Sequence, residues 1–399
     1  MNPLWMVVAD LRKTLISSLG VFILLSLAFS GTVAVSLFDR ALRQAGASSA
    51  QDYDLLVGAP GSKLDLVLAA VYLKTDEVLP LLPYETAEAL ARDPRVSLTS
   101  PLVLADHFEA SPIVGVGPEF PRLRPSLRLA SGRWPQAPFE TVAGSATGSP
   151  LGREFHGSHG TFRREGVDEE VHPQASYRVV GTLLASGTPW DRAYLTPFNS
   201  IWILHQSLDP SPSPEELAAV HKVSAVLVKP KDFGSAYALR AEYQKGASTA
   251  AFPGEILAGL FGLFDQVKVA FSFVGLGFQG IVFVAVILSL LAGLPAKARW
   301  IGLLRALGAG PGYIFLTLWV QTALVFTLAG LFGLAAGWGA AGGLGAALAD
   351  QTGLSLSVRW SWSEVSLLAG FWLTGVVGAL IPALVGYRIS VRRSLLGQP

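Results

Sequence analysis

Lys297-Ala-Arg-Trp-Ile-Gly-Leu-Leu-Arg-Ala-Leu-Gly-Ala-Gly-Pro-Gly312 is short, basic and amphipathic, and it lies between two long apolar runs. At about 100° per residue, Trp300, Ile301, Leu303, Leu304 and Leu307 share one side of a helix, and Arg299, Gly302, Arg305 and Ala306 occupy the other. Pro295 suits the first turn of such a helix, and Gly308, Gly310, Pro311 and Gly312 end it. Two arginines beside two small residues make a surface that another protein can approach closely. On composition alone this reading stands level with a solvated loop between two membrane spans.

The chain has 399 residues, enough for two domains. Hydrophobic residues make up 51%, charged residues 15%, and the mean hydropathy is +0.46, which argues against a wholly soluble protein. A net charge of +1 gives no support to nucleic-acid binding. The absence of cysteine excludes disulfides, thiol catalysis and cysteine metal sites.

Residues 1–13 mix Leu4, Trp5, Val7 and Val8 with Asp10, Arg12 and Lys13, the pattern of an amphipathic helix at a membrane surface. Residues 14–38 then run without a charge and are long enough to span a bilayer. Signal peptides have a shorter apolar core, so an uncleaved anchor is the expectation. Charges, prolines and short apolar runs alternate from 39 to 264, the mark of a mixed α/β domain. Thr86 to Arg92, Pro214 to His221 and Phe233 to Lys245 read as helices. Val96 to Leu98, Ile113 to Val116, Tyr177 to Leu184 and Val223 to Val228 read as strands. Pro210-Ser-Pro-Ser-Pro214 reads as a linker closing an inserted middle lobe of about residues 110–212.

Three more spans are predicted at 265–294, 313–348 and 365–387, separated by the opening stretch (295–312) and a short loop (349–364), with a tail at 388–399. Arg12 and Lys13, then Lys297, Arg299 and Arg305, then Arg388, Arg392 and Arg393 fall on one side. Both termini and the opening stretch are therefore expected in the cytoplasm, and the α/β domain outside it. Arg40 and Arg43 weaken that count slightly. Gly333 with Gly337, and Gly339 with Gly343, have helix-packing spacing. No span carries an ionisable residue at its centre, which argues against an ion-coupled carrier.

Gly275-Leu-Gly-Phe-Gln-Gly280 fits a dinucleotide fingerprint only as a string, because it lies inside an apolar run. Gly58-Ala-Pro-Gly-Ser-Lys63 lacks the ending of a phosphate loop. The chain is thus expected to hold no cofactor and no ATPase of its own. His156, His159 and His172, with Glu154, Asp168, Glu169 and Glu170 near them, are weak metal candidates, and a solvated loop is the preferred reading. His107, His205 and His221 read as isolated structural histidines. No serine–histidine–acid arrangement supports catalysis.

Ile301-Gly-Leu-Leu-Arg-Ala-Leu-Gly-Ala309, directly after a span, resembles the EIGLLRALGAS segment of ABC-transporter permeases of the MacB/FtsX type, which include the lipoprotein-releasing LolC and LolE proteins. Pro382-Ala-Leu-Val-Gly-Tyr-Arg-Ile-Ser390 resembles the family's PALRAARLSP ending. Ser131-Gly-Arg-Trp-Pro135 with Glu140 to Gly144 resembles its GR…EVVLG passage, and Tyr177-Arg-Val-Val-Gly181 a strand that follows. The chain departs from the pattern before the coupling segment, where no glutamate stands, and at Gln321, where many relatives are acidic. The resemblance implies an α-helical membrane protein with four transmembrane helices and a large extracytoplasmic α/β domain inserted between the first and second. It implies a bacterial inner-membrane permease that works as a dimer, with a second copy or a paralogue, and with a cytoplasmic ABC ATPase subunit that binds ATP and Mg. Mechanotransmission would export or extract a lipoprotein or other hydrophobic substrate, with membrane lipid, a periplasmic adaptor or a lipoprotein as further partners. An FtsX-like regulator of a cell-wall hydrolase is the alternative, and a metal-related permease a distant third.

Under that resemblance Arg299, Gly302, Arg305 and Ala306 are expected to meet the ATPase, with Leu303, Leu304 and Leu307 held against the membrane side and Gly308 ending the segment. Substrate or partner contacts are expected at Pro189 and Trp190, in Gly187-Thr-Pro-Trp-Asp-Arg192, and at Leu257, Leu260, Phe261 and Phe264, beside Leu263 in an apolar stripe. Tyr53 to Lys63 and Gly187 to Arg192 together resemble a LolC-like subgroup. An ordinary turn capped by Asp191 competes for the Gly187 to Arg192 segment.

Overall fold

The computed structural model describes residues 3–388 except 51, 53, 75–78, 160–170, 174, 207–220 and 353–355. The predicted helix at 214–221, the Pro210 linker and the tail beyond Arg388 lie largely outside these residues. In chain order the helices are α1 (Pro3–Lys13), α2 (Leu15–Ala50), α3 (Lys63–Tyr72), α4 (Tyr84–Arg92), α5 (Phe120–Leu123) and α6 (Phe198–Gln206). Then follow α7 (Phe233–Tyr243), α8 (Pro253–Ala306), α9 (Pro311–Thr352), α10 (Trp362–Gly378) and α11 (Leu380–Tyr387). The chain divides into two units. One comprises Met1–Ala41, Phe264–Gly345 and Ser357–Pro399; the other comprises Leu42–Leu263 and Ala346–Leu356.

Among the described residues, four helical segments are long and apolar enough to cross a membrane: Leu15–Ala50, Phe273–Pro295, Pro311–Ala349 and Trp362–Tyr387. Within the helical unit, Leu25, Phe29, Val33 and Leu37 recur every fourth residue on α2. They pack with Val282 and Val286 of α8, Phe326 and Ala329 of α9, and Phe371 of α10. Gly333 and Gly337 let α9 approach α2, because an added Cβ would lie 2.8 Å from the Ser26 carbonyl oxygen and 2.7 Å from that of Ser30. Gly339 and Gly343 face open space in the single chain, so only the first of the two expected pairs packs.

Arg40 is not a stray outer charge. Its guanidinium donates to the fully buried Glu364 carboxylate, with Nη1 3.0 Å from Oε2. Glu364 also completes a capping box with Ser361 at the start of α10. The last predicted span is two helices. Pro382 has no N–H to offer the Gly378 carbonyl, and the break falls at Ala379. The helix expected at the N-terminus forms as α1, and α2 follows it directly after Thr14. The N–H of Thr14 donates to Asp10 O and that of Ser18 to Thr14 O, both at 2.9 Å.

The α/β unit is built on one sheet. Its strands are β1 (Leu55–Gly58), β2 (Leu82–Pro83), β3 (Val96–Phe108), β4 (Ser111–Val116), β5 (Leu129–Gly132), β6 (Glu140–Ala143) and β7 (Glu154–Phe155). They continue with β8 (Ser158–His159), β9 (Tyr177–Leu183), β10 (Tyr194–Pro197), β11 (Lys222–Val223), β12 (Ala225–Pro230) and β13 (Thr249–Ala251). The order is β13-β1-β12-β3-β4-β10-β6-β9-β5, with β7 beside β9 and β8 beside β3; β2 and β11 form a separate pair. Strands within 110–212 thus hydrogen-bond into the same sheet as those outside it. Both faces are covered, which is why β1 and β12 read as unbroken apolar runs. Leu56, Leu102, Val114, Ala225 and Leu227 face α3, Phe120 and Trp190, while Leu55, Val57, Val103, Val226 and Val228 face α4, α6 and α7. Gly115 is required for that second layer, because a Cβ there would sit 2.8 Å from Phe198 Cα of α6.

Candidate functional site

The opening stretch does not begin a new helix at Pro295. That proline lies inside α8, which runs unbroken to Ala306. The helix stops in a full Schellman motif: Gly308, at φ +94°, donates to Arg305 O at 3.1 Å, and Ala309 donates to Leu304 O at 3.0 Å. Ala309 packs against the apolar cluster that contains Leu304, in keeping with this motif. The Ala-Leu-Gly-Ala string is therefore a stop signal written in side-chain types, and Pro311 opens α9 three residues after Gly308.

The faces differ from the sequence expectation. Ile301 and Leu304 are buried with Leu294, Ile314, Leu318 and Ala383, but Leu303 is 51% and Leu307 84% exposed. Gly302 is buried, Arg305 half-buried, and Ala306 and Gly308 exposed. The helix rests on an arc centred on Ile301, so Gly302 does not belong to an outward face and Leu303 and Leu307 do not belong to an inward one. The side chain of Arg299 lies outside the described residues. Lys297, on the buried side, pairs with Asp10 of α1 and lies 3.4 Å from Gln321 Oε1. Gln321 thus accepts from a lysine at the position where the resemblance leads one to expect an acid.

The passages of the α/β unit that carried the resemblance meet in one place. A Cβ at Gly144 would overlap the backbone of Asp191, and one at Gly181 the carbonyl oxygen of Arg133. Gly132 sits at φ +76° against Val180. Glu140 accepts from Arg133 Nη1 at 2.7 Å and from the N–H groups of Gln136 and Ala137 at 2.8 and 3.2 Å. The guanidinium first, and then these N–H groups, hold the Glu140 carboxyl down at about 2.

Trp190 and Pro189 are core residues, not contacts for a partner. Trp190 is 0% exposed, packs on Phe120 with ring centroids 5.1 Å apart, and lies under the Arg124 guanidinium. Asp191 caps the turn, accepting from Ser186 N at 2.9 Å and Gly187 N at 2.7 Å. Leu257 is buried in the same core, and Leu260 and Phe261 are half-buried, Phe261 with the Arg43 guanidinium 5.6 Å from its ring centroid. The side chains of Leu263 and Phe264 lie outside the described residues. The stripe is therefore mainly packing.

Two of the weak metal candidates, His159 and His172, fall in a polar cluster where the sequence favours a solvated loop; Asp106 and His205 are the members the sequence does not join to them. Asp106, His159, His172 and His205 bring one ligand atom each to within 4.8 Å of one another. The register of β3 against β4 shifts between Leu104 and Asp106, and this bulge re-aims the Asp106 side chain. His159 stands directly across from Asp106 on β8. His172 is fixed by its N–H donating to Gly157 O at 2.9 Å, next to a bridge between Ser158 and Val171. His205 lies one turn beyond Ile201, the residue that seats α6 on the sheet. Asp106 Oδ1 is 3.5 Å from His172 Nε2, 3.5 Å from His205 Nε2 and 3.8 Å from His159 Nδ1.

Asp106 is 0% exposed, and neither of its oxygens accepts a hydrogen bond among the described residues. Burial pushes its carboxyl up, but His172 and His205 beside it outweigh that and hold it below the usual carboxylate range. Burial, and then the Asp106 charge, push the neighbouring Tyr177 phenol up. His156 is not a member, since its Nδ1 lies 2.9 Å from Ala175 O. Asp168, Glu169 and Glu170 lie outside the described residues.

Residues 272–392 match the family FtsX-like permease C-terminal. The match covers this part of the chain alone; with four helices among the described residues long and apolar enough to cross a membrane, it makes the chain a membrane protein. Among solved structures, the chain is similar to the periplasmic region of MacB from Actinobacillus actinomycetemcomitans, at 11% identity and a TM-score of 0.34, covering 53% of this chain and 94% of that one. It is also similar to the extracellular domain of the noncanonic ABC-type transporter YknZ from Gram-positive bacteria, at 14% identity and a TM-score of 0.30, covering 49% of this chain and 98% of that one. Comparison with curated proteins finds no match.

Proposed function

We propose that the protein is the permease subunit of an ATP-driven transporter of the inner membrane. Paired with a second permease chain and with separate cytoplasmic ATPase subunits, it does conformational work in its α/β unit to extract or export a lipoprotein or another hydrophobic substrate. The observation that carries this reading is the FtsX-like match over residues 272–392, which includes the exposed end of α8. Leu303, Ala306 and Leu307, beside Arg305, are the surface we assign to the ATPase. Two leucines this exposed at a tight helix stop suit a docking contact better than a solvated loop. The match also covers α8 from residue 272 to Ala306, the stretch that leads into the exposed end assigned to the ATPase.

ATP and Mg belong to the partner in this reading, and both termini are cytoplasmic. The test of the substrate class is capture with the α/β unit, residues 40–264. A co-purifying lipid or lipoprotein agrees with extraction or export, whereas a cell-wall hydrolase as the sole specific partner would replace this reading with that of a non-transporting regulator.

A further inference from the structure

We propose that Asp106, His159, His172 and His205 form a binding site for a divalent transition-metal ion, with zinc the best fit. Three imidazoles and one carboxylate are a ligand set that zinc accepts in tetrahedral geometry. With bonds of about 2.0–2.1 Å, the ligand atoms of such a site lie about 3.3–3.4 Å apart. Here Asp106 Oδ1 stands 3.5, 3.5 and 3.8 Å from the three ring nitrogens, so those three edges need only a few tenths of an ångström, and all four ligand atoms already lie within 4.8 Å of one another, close enough for ring rotation to bring the nitrogens onto one ion. The ring planes cross one another at 73° to 88°, with centroids 5.2 to 5.8 Å apart. Rings stacked for packing alone would not aim three nitrogens at one oxygen.

The buried carboxylate is the independent observation. An ion with no exposure and no hydrogen-bond donor among the described residues is costly to keep, and a cation between the four groups removes that cost. Imidazolium rings could supply positive charge, but they would gather like charges around a single carboxylate. One metal ion does the same with neutral rings. Four protein ligands leave no open position, so the site holds its ion and does not activate water. It ties three separate parts of the α/β unit together: the β3 bulge, the two ends of the segment from 159 to 172, and the last turn of α6. His159 is 55% exposed, which gives the ion a way in from solvent.

The proposal does not depend on the ATPase reading, and its test uses no partner. The full chain in detergent is stripped with a chelator and titrated with Zn²⁺ alone, following heat and thermal unfolding. One equivalent is expected to bind and to raise Tm. Asp106→Asn and His159→Gln should each weaken binding more than about 100-fold, beyond what loss of an outer-shell group costs. His156→Gln should bind as the parent chain does. Since His159 is exposed, an unchanged metal-free Tm in His159→Gln shows that the fold is intact. Co²⁺ should give the absorption of a tetrahedral ion in the parent chain and lose it in both site variants. Failure of the parent chain to bind Zn²⁺ would overturn the proposal, as would unchanged affinity in His159→Gln or equal loss in His156→Gln.

Discussion

Gly144 shows how single atoms govern the α/β unit. A Cβ there would overlap the backbone of Asp191, which cannot yield as a flexible side chain can. Gly144→Ala is therefore expected to cost about 2–3 kcal/mol. Gly254→Ala, in open space, should change thermal unfolding little. Glu140 gives the unit an acid limb. Its folded value of about 2 lies below the ordinary 4.5, so its stabilisation is complete above pH 4.5 and is lost as pH falls from there towards 2. Glu140→Gln should flatten Tm against pH in that window, and an unchanged acid limb would count against the assignment. Both residues were visible in the sequence as parts of a motif, but their partners were not. Asp106 and His205 stand far apart in the chain with no local pattern around them, and only the sheet brings them together. Trp190 misled for the opposite reason: a Gly-Thr-Pro-Trp-Asp turn looks like a surface loop until its aromatic ring is seen to fill the core.

Among the elements, those whose reading needed only length and apolarity were legible. The four candidate spans, the strands at Ile113 and Tyr177 and the helices at Thr86 and Phe233 all form near where periodicity puts them. Faces and ends were harder. Pro295 reads as a helix start because proline is favoured there, yet it is accommodated inside α8. The apolar arc of 300–307 reads as one buried side, yet packing against Ile314 and Ala383 uses only half of it. The exposed half makes a prediction: Leu307→Glu should abolish ATPase stimulation with insertion and Tm unchanged, because the side chain is 84% exposed and has little packing to lose. Helix packing makes another. Gly337→Leu should lower Tm by driving α9 from α2, and Gly343→Leu should not. Similar Tm values for the two variants would show that the contact with Ser30 and Val33 does not hold these helices together.

The chain as a whole combines long apolar helices, a two-faced α/β unit and a membrane part that matches the FtsX-like permeases. Under the proposed function energy input comes from another subunit, and a nucleotide-binding partner is what the exposed end of α8 is expected to meet. The direct test is extraction of the full chain in mild detergent, followed by assay of the purified complex for bound nucleotide-binding subunits and ATP hydrolysis. The expected result is a stable complex whose ATPase rate depends on this chain and falls to the background of the free ATPase with Leu307→Glu. A chain that purifies with no ATPase, or an ATPase whose rate is indifferent to both the chain and Leu307, would contradict the account.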